Sequence, residues 1–512
     1  MKKIKFVIGA LLLSASVFAQ SSYDVMRLCE SDVVGTAKFV GMGGAMSALG
    51  ADISVMSSNP AGMGLYRSGD MAFSLSLNNN INKAIFPGAT LKSDKTSLSV
   101  NNLGIVFANE LDMGSLKFMN IAFNYRRSNS FQNIFELSGS LLDSDGNFFS
   151  QQYGLLDLYN MSGNYIDGND YFSLDYPWLG LMASQTGLVD SDGNLLYAPT
   201  TNNNSFTGLA PTDMYYYSKE KGGVDDFDMN VSCNIDDMLY LGATITASNV
   251  DYTRYSEYSE YSNEYDFYTI QNRYNVSGKG IGVKLGAILR PFEYSPLRFG
   301  VAVHTPTWYT LTDRCVAAVV APDGEIYDTR DYDLYGEELF VDYDFVTPWR
   351  FNLSAAYTFG GFMALNAEYE YVDCSTAKLE YTDGVEIYGL NEDIEMNMKG
   401  QHIFRAGALV NLDSNLSLRC GYNYISAPYE KDACKVNFMI QDTSTEFLNK
   451  YETNVYTVGL GYSGDNVYFD MAYKYAKQKA DFYNYHDTEY VNPAVNVENE
   501  RHNLVMTLGC RF

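Results

Sequence analysis

Hydropathy that alternates at every second residue, in fourteen segments between residue 70 and the C terminus, is the constraint this chain must satisfy. Successive side chains of a strand point to opposite faces, so each segment builds a sheet with one apolar and one polar surface. The segments are 70–79, 95–109, 116–127, 223–234, 238–252, 266–290, 296–309, 346–359, 363–373, 399–411, 415–426, 452–463, 466–478 and 500–512. In the last of them Leu504, Met506, Leu508, Cys510 and Phe512 share one face, while Asn503, Thr507, Gly509 and Arg511 share the other. A terminal aromatic closing an alternating strand is how a transmembrane barrel of the outer-membrane type ends, and Phe512 is where barrel assembly machinery is expected to engage the chain.

The phase of each segment assigns its faces. Phe351, Leu353, Ala355, Tyr357 and Phe359, or Val467, Phe469, Met471, Tyr473 and Tyr475, are expected to meet lipid. Arg350, Asn352, Ser354 and Thr358, or Asp470 and Lys474, are expected to face a lumen. A soluble β-sandwich also alternates, but its outer face is polar, whereas here tyrosines sit near strand ends on the apolar side. Short links such as 110–115, 235–237, 291–295, 360–362, 412–414 and 464–465 alternate with long ones, the longest at about 128–222. Tight turns on one side, long loops on the other and an even strand count return both termini to the periplasmic side.

The other terminus points to the same compartment. Lys2, Lys3 and Lys5 precede the apolar run 6–13 and the small-x-small stop Val17-Phe18-Ala19, so residues 1–19 read as a secretory signal. Beyond it no apolar run is long enough for a helical span. The formal charge of −27 excludes nucleic acid as a partner. Much of the acid falls in expected loops, as in 251–260 and 328–344, where solvation or cation binding are the two readings. Seven cysteines, an odd number, cannot all pair within one chain. Cys233, Cys420 and Cys510 lie at apolar-phase positions, and Cys374 and Cys434 flank expected loops, where a disulfide between them is one arrangement. No HExxH, zinc-type His/Cys spacing or GxSxG elbow marks an enzyme, and neither a cofactor nor a metal site is expected.

Residues 35–66 differ from everything after them, with Gly, Ala, Ser and Met dominant and no long alternation. Gly41, Gly43 and Gly44 allow close backbone approach, and Asn59-Pro60 signals a turn. Phe39, Val40, Leu49, Ile53, Val55 and Leu65 are too many apolar residues for a solvated leader, which leaves a plug inside the lumen. The expected division is therefore a plug over 20–68 and a barrel over 69–512.

At these residues the chain resembles the FadL/TodX outer-membrane transporters of long-chain fatty acids and other hydrophobic compounds. The resemblance rests on Gly35-Thr36-Ala37 leading to Gly41-Met42-Gly43-Gly44-Ala45, then Asn59-Pro60-Ala61-Gly62, and on the strand pairs 281–307, 348–371 and 404–428. It implies a fourteen-stranded barrel stoppered by an N-terminal hatch, in which hydrophobic ligands move from apolar outer loops to a lumenal pocket. It also implies sideways release into the membrane at a kinked third strand. Here that strand, 116–127, carries no Pro or Gly to mark a kink.

For a carboxylate cargo the anchor is a lumen-facing cation, since a charge-assisted hydrogen bond gains strength in a dry pocket. Arg350, Arg405 and Arg419 are the candidates by phase, with Lys284, Arg298 and Lys474 behind them; pairing with Asp228, Glu368, Glu370 or Asp470 is the competing reading. The insert at 128–222 holds apolar runs at 155–159 and 176–182 that either form an outer ligand perch or pack over the barrel mouth. A surface receptor or adhesin, and a haemin importer, are the alternatives to uptake of hydrophobic small molecules.

Overall fold

The alternating segments pair, each with the next, into one antiparallel sheet that closes on itself. The computed structural model describes residues 21–30, 32–86, 89–142, 150–161, 177–190, 193–196, 210–263, 265–330, 339–435, 442–486 and 494–512. The expected signal at 1–19, Tyr176 of the second apolar run and residues 331–338 of the acidic loop lie outside them.

The strand segments in chain order are β1 Asp70–Phe86, β2 Ala89–Met113, β3 Leu116–Ser130, β4 Asn133–Ser140, β5 Asp213–Ile235, β6 Leu239–Tyr261 and β7 Asp266–Leu289. Then follow β8 Arg298–His304, β9 Trp308–Val320, β10 Ile326–Asp328, β11 Leu339–Val346, β12 Arg350–Phe359, β13 Met363–Asp373 and β14 Lys378–Tyr381. The last are β15 Gly400–Asn411, β16 Leu416–Ile425, β17 Phe447–Ser463, β18 Val467–Tyr483 and β19 Val495–Arg511. Among the described residues they make fourteen passages of the wall, because β3/β4, β8/β9, β11/β12 and β13/β14 are interrupted passages and β10 extends a loop. Closure is made by β1, which pairs with β2 on one side and with β19 on the other, from Asp70 opposite Arg511 to Ile85 opposite Asn496.

Faces follow the expected phase. Phe351 and Leu353 are 48% and 56% exposed, whereas Asn352 between them is 2% exposed. A row of outward aromatics rings the far side: Tyr369, His402, Phe404, Tyr422, Tyr456, Tyr473, Tyr475 and His502 follow one another in contact or on adjacent strands. From Val467 at the turn side to Tyr475 in that row the outward face of β18 is apolar for roughly 25 Å along the strand at about 3.3 Å per residue, or roughly 20 Å of height at the tilt of about 40° usual in such barrels, most of a bilayer's hydrocarbon band. All seven cysteines are free thiols, Cys374 and Cys434 included.

Two features depart from the sequence reading. The stretches 80–94 and 253–265, expected as loops, are mostly strand: β1, β2, β5, β6 and β7 run well past the aromatic row. Their alternation is there but is carried by polar residues, as in Tyr252, Ser256, Tyr258 and Glu260, all buried, so a hydropathy reading stops too early. Two expected continuous segments, 296–309 and 346–359, are instead broken at 305–307 and 347–349, where Pro306 and Pro348 lack the N–H a ladder requires.

Met471, midway between Val467 and Tyr475, points at lipid between outward-facing Leu460 and Met506 on the neighbouring strands. Met471→Arg, at the middle of that apolar span, is expected to destabilise the barrel by about 2–4 kcal/mol. Urea unfolding in liposomes, compared with the wild type, reads this directly.

Candidate functional site

Inside the barrel the N-terminal segment forms a plug out of small residues, because only they let backbone lie against the wall. It comprises helix α1 Ser22–Cys29, the short helix α2 Ala37–Gly41, and 3-10 turns at Ile53–Ser57 and Pro60–Leu65. Gly43 holds φ at +68°, and Gly421 of β16 comes so near that a Cβ on Gly421 would lie 2.3 Å from the Gly43 nitrogen. Gly41 faces Gly459 of β17, and its carbonyl accepts from Thr457 Oγ1 at 3.1 Å, while Gly44 lies beside Val33 and Arg405. Asn59 Oδ1 accepts from the Ala61 amide at 3.1 Å and so caps the turn that Pro60 starts; Gly286 of β7 leaves the room for it, since a Cβ there would sit 2.0 Å from that oxygen.

The expected ligand cations lie at this level, and carboxylates engage all of them except Arg298, which a backbone carbonyl holds. Arg405 reaches Glu370 at 2.9 Å and Glu368 at 3.6 Å, and Glu368 accepts from the Ser47 amide of the plug. Arg350 bonds Glu370 at 3.1 Å and the Cys29 carbonyl that ends α1 at 2.6 Å. Arg419 is held by Asp470 at 2.5 Å. Lys474 ties Asp32 at 2.7 Å, Arg298 donates to the Leu49 carbonyl at 3.0 Å, and Lys284 meets Asp228 at 3.3 Å. Arg350 and Arg405 still face a polar cavity of about 170 Å³ above the plug, whereas Arg419 does not.

A second, larger cavity lies on the other side of α1. This helix is built into the upper lumen by its apolar face, with Val25, Met26 and Cys29 buried among residues such as Tyr343, Phe345 and Leu379. Tyr23 stacks on Tyr429 at 5.1 Å. Its polar face is fixed by charge: Arg27 pairs with Asp24 at 2.5 Å and Glu220 at 3.4 Å, and Arg254 of β6 with Asp24 at 3.6 Å. Above α1 is a chamber of about 200 Å³ with Phe135, Tyr216, Phe482 and Val497 on its apolar side and Arg254, Lys435 and Glu446 on its polar side. Burial pushes the Glu446 carboxyl above its ordinary range, against the pull of Lys435 and Arg254.

The roof of this chamber comes from the long insert. Helices α3 Gln152–Met161 and α4 Trp178–Gln185 bury Leu155, Leu158, Trp178, Leu179, Leu181 and Met182 against the extended strands, including Phe86, Phe135, Tyr258 and Val497. Glu260 anchors the start of α3, accepting from Ser150 Oγ at 2.6 Å, the Gln151 amide at 2.7 Å and Gln152 Nε2 at 2.9 Å. Both expected apolar runs thus serve a cap inside the mouth, so far as they are described.

The wall beside the third passage opens. Pairing of β2 with β3 stops at Asn102 opposite Arg126, and the Ala89–Asn101 part of β2 keeps only its β1 partner. The two edges meet again higher up, where the Ser93 hydroxyl donates to the Ile134 carbonyl at 3.1 Å and accepts from the Glu136 amide at 3.3 Å. Between these points is a window, with a cavity of about 50 Å³ behind it. The strand does break, at Phe131-Gln132, although no Pro or Gly marks it. The signal stands on the neighbour instead: Gly222 of β5, at φ +98°, takes the Phe131 amide on its carbonyl at 3.1 Å, and Phe131 turns inward onto Tyr252 at 5.0 Å. Arg254, Glu446, α1 and the inward asparagines of β1 and β19 went unmarked by the sequence reading, which had 251–260 as loop.

No family model and no curated protein matches the sequence. Solved structures do match its fold. A FadL homologue from Pseudomonas aeruginosa aligns with TM-score 0.52 at 10% identity, over 94% of this chain and 99% of that one. The toluene transporter TodX of P. putida gives 0.50 at 13% identity over the same shares, and a TodX deltaS2 mutant, a monoaromatic hydrocarbon channel, gives 0.54 at 12% over 94% and 100%. The chain therefore has the plugged-barrel fold of the FadL/TodX outer-membrane channels.

Removing the cation shared by two buried carboxylates is the sharpest test of what seats the plug. Arg405→Ala is expected to cost about 3 kcal/mol in urea unfolding, since a buried charge left without its partner is expensive. Higher ion conductance in planar bilayers should accompany it, as Ser47 loses its fixed acceptor.

Proposed function

We propose that this protein takes hydrophobic small molecules, long-chain fatty acids among them, across an outer membrane. The observation that carries the reading is the chamber between cap and α1, apolar on one side and charged on the other, inside a barrel whose wall has a side window. Such a lining suits a molecule that is mostly hydrocarbon with a polar end. The described cargo of the solved neighbours, toluene or another monoaromatic hydrocarbon, supports an apolar solute in this fold.

Magnitude constrains the path. About 200 Å³ is below the roughly 300–1,000 Å³ of ordinary ligand pockets, so a long chain fits only when α1 yields. A ligand displaces α1 by no more than its preference for the displaced state, which means its chain has to replace what Val25, Met26 and Cys29 bury. Arg254, beside the chamber, would then meet the polar end in place of Asp24. Arg350 and Arg405 belong to the next compartment, below α1.

Cells that carry the protein should take up labelled oleate several-fold faster than cells without it. Arg254→Ala should slow that uptake while leaving the folded, heat-modifiable form intact on gels. Equal oleate and toluene uptake with and without the protein rejects the proposal.

A further inference from the structure

Beyond the lipid-facing band, the outer surface of the long strands carries a patch of cations. On β5, β7 and β9 the last apolar outward residues are Phe227, Ile281 and Trp308, 53%, 54% and 48% exposed, and with Ala247 of β6 they share one rung. Three rungs farther out stand Lys221, Thr253, Asn275 and Arg314, and on the next rung Lys219, Tyr255, Arg273 and Val316. Their side chains turn outward, because Ser218, Tyr252, Tyr274, Asp313 and Cys315, which alternate with them, are buried. Lys221, Arg273 and Arg314 are exposed and Lys219 is half-buried.

The chain has 62 acids against 35 bases, and cations elsewhere in it, such as Arg127, Arg405 and Arg419, are held by carboxylates. Among the described residues none of the side chains of Lys219, Lys221, Arg273 and Arg314 makes an ion pair or a hydrogen bond. Neither rung holds an acid: Ile134 continues the one beside Lys219, and Phe340 the one beside Arg314. The nearest acids on this face, Asp251 and Asp342 one rung below and Glu136 and Glu257 one rung above, flank the patch without entering it. Glu257 is itself engaged, accepting from Tyr255 Oη at 3.0 Å and Gln271 Nε2 at 3.3 Å. The ladders pass through both rungs without a register shift, so four like charges are held at fixed spacing, and an anion between them relieves their repulsion.

Height above the membrane decides what can bring that anion. The four cations lie six to eight residues beyond Phe227, Ile281 or Trp308 on their own strands. That is about 20–26 Å along the strand at about 3.3 Å per residue, or about 15–20 Å of height at a tilt of about 40°. Phospholipid head groups reach only about 5–8 Å above the hydrocarbon. An anion tethered in the outer leaflet meets the patch only when sugars lift it there. Tyr255, between Lys219 and Arg273, offers a sugar ring an apolar face, and Thr253 and Asn275 offer its hydroxyls hydrogen-bond partners.

We propose that this face of β5, β6, β7 and β9 docks an outer-leaflet glycolipid, with its acyl chains on the band below Phe227, Ile281 and Trp308 and its acidic sugars on Lys219, Lys221, Arg273 and Arg314. The inference is independent of what the lumen carries. The full chain in detergent micelles is titrated with a phosphorylated lipopolysaccharide, with the same glycolipid after removal of its phosphate by hydrofluoric acid, and with dioleoylphosphatidylglycerol. Binding is read by native mass spectrometry. The variants are Lys219→Gln/Lys221→Gln/Arg273→Gln/Arg314→Gln, the milder Arg273→Gln/Arg314→Gln, and a control, Lys92→Gln/Lys479→Gln, which removes two exposed cations elsewhere on the wall.

The wild type should bind lipopolysaccharide about ten-fold or more tightly than the quadruple variant, since exposed pairs contribute little singly and four act together. High salt should erase the difference. The double arginine variant should move in the same direction, and it carries the test if the quadruple variant loses its heat-modifiable folded form. The control should bind as the wild type does. Loss of binding on dephosphorylation assigns the charge to phosphate; unchanged binding, with the quadruple variant still weak, assigns it to sugar carboxylates, and both support the inference. It is overturned if the folded variants bind lipopolysaccharide at wild-type strength, or if the control loses as much as they do. Phosphatidylglycerol that binds as tightly as the glycolipid, and is lost in the same variants, also overturns it, because the anion then needs no sugars.

Discussion

Everything in this molecule depends on β1 finding a backbone partner on both sides. In hydrocarbon an unsatisfied peptide group costs several kcal/mol, so a wall of strands holds only when its first and last members pair, as β1 and β19 do over almost their whole length. The same rule decides where the wall is allowed to fail. At the two proline breaks, side chains replace the missing ladder: Thr305 Oγ1 accepts from the Val283 amide at 3.0 Å, and Thr347 Oγ1 from the Thr307 amide at 2.8 Å. Over 95–101 no such repair is made among the described residues, and the cavity behind that edge is lined by polar side chains, Ser97, Ser99 and Asn101 among them.

Within the lumen the governing term is electrostatic. A buried ion pair is weak evidence of added stability, but removing one member is costly, so such pairs define position more than strength. Arg350, Arg405, Arg419 and Lys474 act in this way, each tying the wall to the plug or to a carboxylate beside it, and Arg298 adds a bond to the Leu49 carbonyl. The plug is thereby indexed to one depth. Its glycines supply the closeness and the charges supply the register. The upper lumen is arranged differently: α1 is held by an apolar face as much as by Asp24 and Arg27, and a hydrophobic guest competes for that same burial.

Much of this was legible in the residue order. Period-two hydropathy marks every one of the fourteen passages because lipid demands an apolar exterior, and the Gly-rich start reads as a plug because nothing else packs that tightly. The sequence reading stopped where lipid stops. Beyond the aromatic row the strands continue with Tyr, Ser and Asn on their inner face, and hydropathy no longer separates the two sides. Cations chosen by phase were rightly turned inward, yet phase says nothing of whether Glu370 or Asp470 already waits there. The break in the third passage escaped notice because its cause, Gly222 with φ at +98°, belongs to the strand next door. Pairing partners are what a single sequence hides.

The connection between α1 and α2 has a thermodynamic consequence. Asp32, Val33 and Val34 border both the cavity above the plug and the one behind the window. Lys474 grips this connection through the Asp32 carboxylate and the Val33 carbonyl. One stretch of chain thus forms a party wall between two compartments, and any displacement enlarges one at the expense of the other. Occupancy of the two becomes linked and reciprocal: whatever a guest in the first does to the affinity of the second, a guest in the second does to the first by the same factor.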